Sequence, residues 1–307
     1  MRIAVVGAGR FGRNHVRTLH EMGCLWAIAD PVVSVRTETA EKYGIPTYVS
    51  HEELICDRPD AVVIATPVPY HYSIAKDFLN AGIPCLVEKP LTLDVSEAED
   101  LVQIATKGKV VLMVGHLLIY QPAIQWIRSA IMAGMIGRLK SLHQERLNLG
   151  VARANENALW SLGVHDISVA LFLVGTQPTK VSFDGQVVTT PGVEDDTYVH
   201  LEFDGDVRAH IHNSWLWPEK RRRLVVVGDR GMLIFDEVSG QVLLCRKRID
   251  ESLNNVDEGT ELVFEGANYP LRLELEHFVE CVRGGLTPQS DGQQGVETLR
   301  VLASTKR

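Results

Sequence analysis

Three glycines close to the start of the chain, Gly7, Gly9 and Gly12, have the spacing of a turn that binds a diphosphate. They follow the apolar run 3–6 and precede a helix-length segment over 11–22. In a strand–turn–helix unit of this kind, the first glycine permits the tight turn, the second lets the backbone approach a pyrophosphate, and the third lets the helix pack closely on the sheet. N–H groups at the helix N-terminus then face the phosphates. We therefore predict a dinucleotide site formed by Gly7, Gly9, Arg10, Phe11 and Gly12.

A carboxylate stands where the next predicted strand ends. The apolar run 25–29 is followed by Asp30, which lies 18 residues after Gly12. A carboxylate at this position accepts hydrogen bonds from the adenosine ribose hydroxyls and repels a 2′-phosphate. Asp30 therefore predicts NAD as the cofactor and makes NADP the less favoured one. The alternative is that Asp30 only begins the turn at Asp30-Pro31.

Further polar side chains follow the apolar runs 61–65, 85–87 and 110–114. In an open α/β sheet the ligand lies beyond the carboxyl ends of the strands, so these side chains can reach it. The residues concerned are Thr66, Pro67, His71, Glu88, Lys89 and His116. We assign all but His116 to the cofactor and treat His116 as a candidate substrate residue.

Lys89 is the most informative of these residues because it comes directly after a buried strand. An ammonium at the edge of the crevice can hold a substrate oxygen and stabilise negative charge that builds as a hydride leaves carbon. The alternative is a solvent-facing lysine before Pro90. The bare sequence leaves both interpretations open.

The elements that position these residues change in kind along the chain. Up to about residue 118, short apolar runs alternate with helical segments near 70–81 and 94–106, which indicates a doubly wound parallel sheet. After Gly137 the strands are longer, and 197–203 is predicted to pair with 207–213 through the turn at 204–206. This half is expected to be a mostly antiparallel sheet, with helices over 159–174, 270–283 and 291–304.

Composition excludes several classes of function. The net charge of -8 at pH 7 argues against a nucleic-acid partner. No apolar run approaches the roughly 18 to 20 residues that span a bilayer, so no membrane partner is expected. The five cysteines are scattered, which predicts neither a disulfide framework nor a metal site. We expect a cytoplasmic protein.

Four motifs together resemble the glucose–fructose oxidoreductase and inositol dehydrogenase family, known as Gfo/Idh/MocA. They are the GAGRFG turn at 7–12, EKP at 88–90, VGH at 114–116 and HDI at 165–167. The resemblance implies an α/β chain with an N-terminal NAD(P)-binding Rossmann domain over 1–118. It also implies a C-terminal substrate and oligomerisation domain over 119–307, whose large, mostly antiparallel sheet makes the contacts of a homodimer or homotetramer.

The activity implied by the resemblance is NAD(P)-linked oxidation or reduction of a sugar or related polyol. The runs 115–122 and 146–160 are most similar to members that act on nucleotide-linked sugars. Two alternatives remain: a reductase of a non-sugar carbonyl or diol in the same family, and a regulator that binds the cofactor without turnover.

The resemblance also implies catalytic roles for two residues. Lys89 occupies the lysine position of EKP, with a cis bond expected before Pro90, and His165 occupies the position that takes the hydroxyl proton. Many members carry an aspartate four residues before this histidine, whereas this chain has Ser161, which supplies no charge. The adjacent Asp166 is expected to face the substrate or to tie its helix to the first domain. Without the resemblance, a packed or capping histidine explains His165 better than a catalytic one does.

The remaining candidates are weaker. The segment between a predicted strand and the His165 helix could offer hydrogen bonds and a ring face to a sugar or base, or form an ordinary polar loop. The tentative substrate residues are His116, Tyr120, Arg146, Asn148, Trp160, Ser161 and Asp166, with Arg153 and Asn157 in the same loop. The basic run 220–223 could bind a diphosphate, although the start of a solvated strand explains it better.

Overall fold

The apolar runs of the first third of the chain form a six-stranded parallel sheet in the computed structural model, which describes residues 1–266 and 269–305. The strands are β1 Ile3–Val6, β2 Leu25–Ala29, β3 Thr47–Tyr48, β4 Ala61–Ile64, β5 Cys85–Glu88 and β6 Leu112–Gly115. Their order in the sheet is β3-β2-β1-β4-β5-β6, so the direction of winding reverses between β1 and β4. The predicted doubly wound parallel sheet is confirmed. Its reversal point is where such folds bind ligands.

Helices connect these strands. They are α1 Gly12–Glu21, α2 Val33–Tyr43, α3 His51–Cys56, α4 His71–Asn80 and α5 Val95–Gly108. Two further helices, α8 Pro270–Gly284 and α9 Gly292–Ala303, lie late in the chain. The first compact unit comprises Met1–Leu117 together with Leu271–Arg300.

The late segment joins the first unit through β6. The Ser290 hydroxyl donates to the Val114 carbonyl at 2.7 Å, and the Val114 N–H donates to the Ser290 carbonyl at the same distance. A buried Glu274 on α8 belongs to this unit as well. The assignment of 1–118 and 119–307 to a cofactor domain and a substrate domain stays a prediction.

The second unit, Leu118–Pro270 with the residues from Val301 onward, is built on an eight-stranded sheet. Its strands are β7 Leu139–Leu149, β8 Lys180–Gln186, β9 Asp196–Glu202, β10 Arg208–Ser214, β11 Leu216–Gly228, β12 Met232–Asp236, β13 Gln241–Ile249 and β14 Asn255–Glu265. Among these described strands β10 and β7 pair in parallel, and the other neighbours in the order β14-β13-β12-β11-β7-β10-β9-β8 are antiparallel. The mostly antiparallel sheet and the β9–β10 hairpin are confirmed.

Two helices pack with this sheet, α6 Pro122–Met132 and α7 Val164–Val174. A π-helical turn over Leu159–Gly163 runs directly into α7, so the helix predicted over 159–174 is present but wider at its start. The residues of α7 from Asp166 to Leu173 are all buried. A helix that is apolar nearly all round must lie in a core, and this helix carries both His165 and Asp166 into the second unit.

Candidate functional site

The glycine turn is closely packed at Gly7 and Gly12 and open at Gly9, as expected of a turn that binds a diphosphate. Gly7 has φ +85°, and a Cβ there would lie 2.9 Å from the Thr66 nitrogen. A Cβ at Gly12 would collide with the Gly7 carbonyl, whereas a Cβ at Gly9 would meet nothing within 4 Å. Backbone can therefore be approached closely at Gly9, and only glycine fits at the other two positions.

Groups around the turn are suited to an anion. No side chain among the described residues caps the N-terminus of α1, which begins at Gly12, so its first N–H groups keep their donor capacity. The buried Thr66 hydroxyl oxygen has no hydrogen-bond partner in the described structure. Arg10 and Phe11 are exposed beside the turn, and Pro67 is exposed after β4. These observations fit the pyrophosphate of a dinucleotide, with Gly7 to Gly12 as the residues that would hold it.

Asp30 is held by backbone N–H groups on both sides. Its Oδ2 accepts from the Ala8 N–H at 2.9 Å, and its Oδ1 accepts from the Val32 N–H at 2.9 Å. The second bond is an Asx-turn, so Asp30 does begin the turn at Asp30-Pro31, which leaves its cofactor role undecided. The first bond fixes the carboxylate next to the glycine turn. Each oxygen retains lone pairs for a ribose hydroxyl, and that role stays a prediction.

Arg36 is a neighbour of Asp30 that sequence reasoning missed. Its guanidinium donates to the Asp30 backbone carbonyl at 2.6 Å from the first turns of α2. The signal for it was weak because α2 follows the strand end without a motif of its own.

His71 connects two loops at the carboxyl edge of the sheet. Its Nδ1 lies 3.0 Å from the Pro90 carbonyl, and its Nε2 lies 2.9 Å from the Thr66 carbonyl. Burial lowers the pKa of His71, although both carbonyl groups oppose that shift. The ring thus lies between the backbone segments that follow β4 and β5, and a neutral ring donates to one of the two carbonyls. Its predicted contact with the cofactor stays a prediction.

Glu88 and Lys89 end β5 at the same edge. The Glu88 Oε1 lies 2.7 Å from the Nε2 of His15, and its Oε2 accepts from the Lys89 N–H at 3.2 Å. The peptide bond between Lys89 and Pro90 is cis, as expected. His15 was missed because it lies inside the helix α1 and 73 residues away from Glu88 along the chain.

His116 follows β6, which pairs with β5 through Gly115 and Glu88. It is 1 % exposed, and neither ring nitrogen has a hydrogen-bond partner among the described residues. Burial lowers its pKa to about 3, and the positive charge of Lys89 acts in the same direction. His116 is therefore a neutral imidazole with free donor and acceptor capacity beside Lys89.

In the second unit, Arg146 and Asp166 bind one another. The Arg146 Nε donates to both Asp166 oxygens at 3.0 and 3.1 Å, and its Nη2 donates to Glu237 at 3.1 Å. Asn213 donates to the same aspartate at 2.7 Å. Burial raises the pKa of Asp166, and the Arg146 charge opposes that shift. The predicted substrate roles of both residues stay untested predictions, and the geometry shows a buried network that attaches α7 to β7, β10 and the Glu237 turn.

The other candidates of the second unit differ in burial. His165 and Ser161 are half-buried on α7 and the preceding π turn; Tyr120 and Trp160 are buried. The Asn157 side chain accepts from the Trp160 N–H at 3.0 Å, and Asn148 accepts from Arg222 at 2.6 Å. Arg153 is exposed. Their assignment to a substrate remains a prediction.

The basic run 220–223 lies inside β11 and not at its start. Arg221 pairs with Glu145 at 3.3 Å, and Arg222 donates to the Leu147 carbonyl at 3.1 Å. Trp215 is buried with its indole N–H on Asp195 at 2.5 Å. Cross-strand pairing thus accounts for two of the arginines, and packing accounts for the tryptophan.

Neither a metal cluster nor a membrane-crossing segment is found in the described part of the chain. Residues 1–266 and 269–305 contain no group of three metal-ligating side chains placed to hold an ion. Within the same residues, every helix is too short or too polar to cross a membrane.

The chain belongs to the Gfo/Idh/MocA family. The model described as an oxidoreductase family with an NAD-binding Rossmann fold matches residues 1–116, and the C-terminal domain model of the family matches residues 124–234. The predicted family and fold are confirmed. The chain is an NAD-dependent oxidoreductase, and the prediction of NAD as cofactor is confirmed with it.

Relatives extend over nearly the whole chain. UDP-N-acetylglucosamine 3-dehydrogenase of Acidithiobacillus ferrooxidans is 32% identical over 99% of this chain and 95% of its own length. A solved structure of that enzyme has a TM-score of 0.89 at 26% identity, covering 99% of this chain and 96% of that one. The NAD-dependent scyllo-inositol 2-dehydrogenase of Bacillus subtilis is 26% identical over 94% of this chain and 88% of its own.

Proposed function

We propose that this protein transfers a hydride between NAD and a secondary alcohol or ketone of a sugar, and that the sugar is nucleotide-linked. The observation that carries the proposal is the set of residues at the carboxyl edge of the first sheet. The glycine turn, Asp30 and Lys89 follow β1, β2 and β5 there, where parallel sheets of this order bind their ligands. Full-length similarity to a UDP-N-acetylglucosamine dehydrogenase supports the nucleotide-linked sugar.

Two side chains carry the proposed chemistry. When bound, NAD accepts the hydride from the substrate carbon. Lys89 holds the substrate oxygen and stabilises the charge that builds on it. His165 takes the hydroxyl proton and returns it in the reverse direction, which suits an imidazole because its pKa is near neutrality in water. Ser161 offers a hydroxyl but no charge to this histidine.

A polyol ring is the second candidate substrate. The scyllo-inositol dehydrogenase of Bacillus subtilis is similar over 94% of this chain, which supports a ring alcohol without a nucleotide.

The assay is a screen of the purified protein with NAD, NADH and NADPH against free sugars, inositols and nucleotide-linked sugars, followed at the absorbance of the reduced nicotinamide. We expect turnover with a nucleotide-linked sugar and with NAD in preference to NADP. Turnover of inositols alone would replace the proposed nucleotide-linked sugar with a polyol ring. Tight NADH binding without turnover of any compound would mean that the substrate belongs to none of the three classes screened, which would overturn the proposed substrate.

The proposed partner besides substrate is a second copy of the chain. On β11 and β12 the side chains of Leu224, Val226 and Leu233 are buried, while the alternate positions Val225 and Ile234 are only half-buried. A sheet that leaves apolar residues on its second face favours self-association. Light scattering at micromolar concentration should give a dimer or tetramer, and Ile234→Glu should dissociate it whereas Val238→Glu, on an exposed turn, should not.

We also propose a cytoplasmic location. All five cysteines are unpaired thiols, and four of them are buried. Thiols persist in reducing compartments and are oxidised in secreted proteins. Fractionation of cells that express the tagged protein tests this location.

A further inference from the structure

A cluster of titratable side chains is buried in the first unit. It consists of His15 on α1, Glu88 at the end of β5 and Glu274 on α8, which are 0 %, 6 % and 0 % exposed. Charged groups are rarely buried to this extent unless they have a partner and a reason to be there. Each member therefore requires an explanation.

His15 and Glu88 are partners. The Nε2 of His15 lies 2.7 Å from the Glu88 Oε1, which is the distance of a strong hydrogen bond to a carboxylate. The Nδ1 of His15 has no hydrogen-bond partner among the described residues. A proton on that nitrogen would be buried without an acceptor, so the arrangement favours the tautomer that carries its proton on Nε2 and donates it to Glu88.

The second oxygen of Glu88 is directed to the backbone of the proposed catalytic lysine. Glu88 Oε2 accepts from the Lys89 N–H at 3.2 Å. Gly115 on the neighbouring strand makes room for this carboxylate, because a Cβ there would lie 3.1 Å from the Glu88 carboxyl carbon. One carboxylate thus joins the first turns of α1 to the peptide group of Lys89.

The hydrogen bonds of Glu88 matter more because a second buried carboxyl group, that of Glu274, interacts with it electrostatically. Neither of its oxygens has a hydrogen-bond partner in the described structure. Burial, and then the negative charge of Glu88, raise its pKa well above the ordinary value. This shift favours the neutral form of Glu274, whereas Glu88 receives hydrogen bonds from His15 and the Lys89 N–H.

We propose that His15 and Glu88 are positioning residues, which fix the Lys89 peptide segment to the helix that begins at the glycine turn. His15 lies three residues after Gly12, so whatever holds that turn against the cofactor also holds His15. The pair thereby fixes the position of the Lys89 backbone, from which its side chain extends, relative to the bound dinucleotide. The consequence for turnover rests on the proposed catalytic role of Lys89, whereas the consequence for the Lys89 amide does not.

The test compares His15→Leu, which removes the donor, with His15→Gln, whose amide can place an N–H close to that of Nε2. Glu88→Ala and Glu88→Gln form the same comparison from the other side, and provide a second pair should His15→Leu fail to fold. His20→Leu is the matched control, because His20 is an exposed histidine on the same helix. Exchange of the Lys89 amide hydrogen is measured by NMR in the protein without substrate, together with the NADH Kd and, where a substrate is known, kcat.

We expect His15→Leu and Glu88→Ala to speed Lys89 amide exchange by at least about tenfold and to lower kcat by about 10- to 100-fold, with the NADH Kd within about threefold. His15→Gln should recover most of both effects. Glu88→Gln has one acceptor oxygen for two donors, so it should recover only part of them, and His20→Leu should show neither.

Unchanged exchange of the Lys89 amide in folded His15→Leu and Glu88→Ala would overturn the proposal, whether or not a substrate has been found. Equal losses in kcat and NADH affinity without recovery by glutamine would also overturn it, since general damage to the fold has that pattern. If Lys89 proves dispensable for turnover, the amide exchange still decides the structural link, and only the proposed function fails.

Discussion

The two units differ in how some of their buried titratable side chains are hydrogen-bonded. In the second unit, Arg146 is surrounded by Asp166 and Glu237, and Asn213 completes the hydrogen bonds of the aspartate. In the first unit, Glu274 and His116 are buried without hydrogen-bond partners in the described structure, at or near the carboxyl edge of the sheet. A satisfied network fastens elements together, whereas unsatisfied groups cost stability and persist where a ligand or a reaction uses them.

Opposite phenotypes are therefore expected for variants in the two units. Disruption of the Arg146 network should lower stability and leave cofactor binding intact. Changes at the carboxyl edge of the first sheet should alter binding or turnover and leave the fold intact.

The largest effect is expected for Asp166→Ala. Removing one partner of a buried ion pair leaves a charge without compensation, which typically costs about 3–5 kcal/mol; we expect about 3 kcal/mol because Glu237 still faces Arg146. Urea unfolding measures this loss, and NADH titration should give an unchanged Kd. Glu202→Gln, which breaks the exposed pair with Lys180, is the control and should barely move the unfolding midpoint. A stability loss for Asp166→Ala no larger than that of the control would contradict the contrast between the units.

Lys89→Ala should lower turnover and leave stability unchanged, which is the reverse of the result expected for Asp166→Ala. Loss of a group that stabilises developing charge typically lowers kcat by about 10²- to 10³-fold, while the unfolding midpoint and the NADH Kd should stay close to those of the unmodified protein. Steady-state kinetics with the substrate found in the screen measures the change, and Lys42→Ala on α2 is the matched control. Unchanged turnover would remove Lys89 from the mechanism.

A smaller effect is expected at Asp30. Asp30→Ala should weaken NADH binding by about tenfold and bring the NADPH Kd closer to it, because a carboxylate near the ribose favours a hydroxyl and repels a phosphate. Fluorescence titration with both dinucleotides measures the ratio of the NADPH Kd to the NADH Kd. Asp30→Asn separates the two roles, since its amide oxygen can still accept from the Ala8 or Val32 N–H while the charge is gone. A ratio that stays constant in both variants would show that Asp30 serves the turn alone.

The first unit could be predicted well from the sequence because its signals are local. A buried run of four residues, a glycine turn and the polar residue after a strand are all read within a few positions, and sheet order then brings the strand ends together. The contacts that decide the site are not local. His15 meets Glu88 across 73 residues, and Ser290 meets Val114 across 176 residues.

The second unit was predicted in outline only. The hairpin around 204–206 has a local turn signal, but no local pattern reveals that β10 pairs in parallel with β7. Arg146 and Asp166 were read as separate ligands for a substrate because each is polar in sequence. Only the fold brings the strand that carries Arg146 next to the helix that carries Asp166, and their mutual pairing then follows from charge.

The sharpest check on unpartnered groups concerns His116. Its pKa of about 3 in the folded protein lies below the value of about 6.5 expected when unfolded, so between these values the unfolded chain binds a proton that the folded one does not. Stability from this histidine is therefore present above about pH 6.5 and is lost as the pH falls toward 3. His116→Gln should reduce the fall in the unfolding midpoint between pH 7 and pH 4.5, whereas His20→Gln should not. Parallel pH curves for His116→Gln and the unmodified protein would mean that His116 gains a proton partner in solution, and the contrast between the two units would then rest on Glu274 alone.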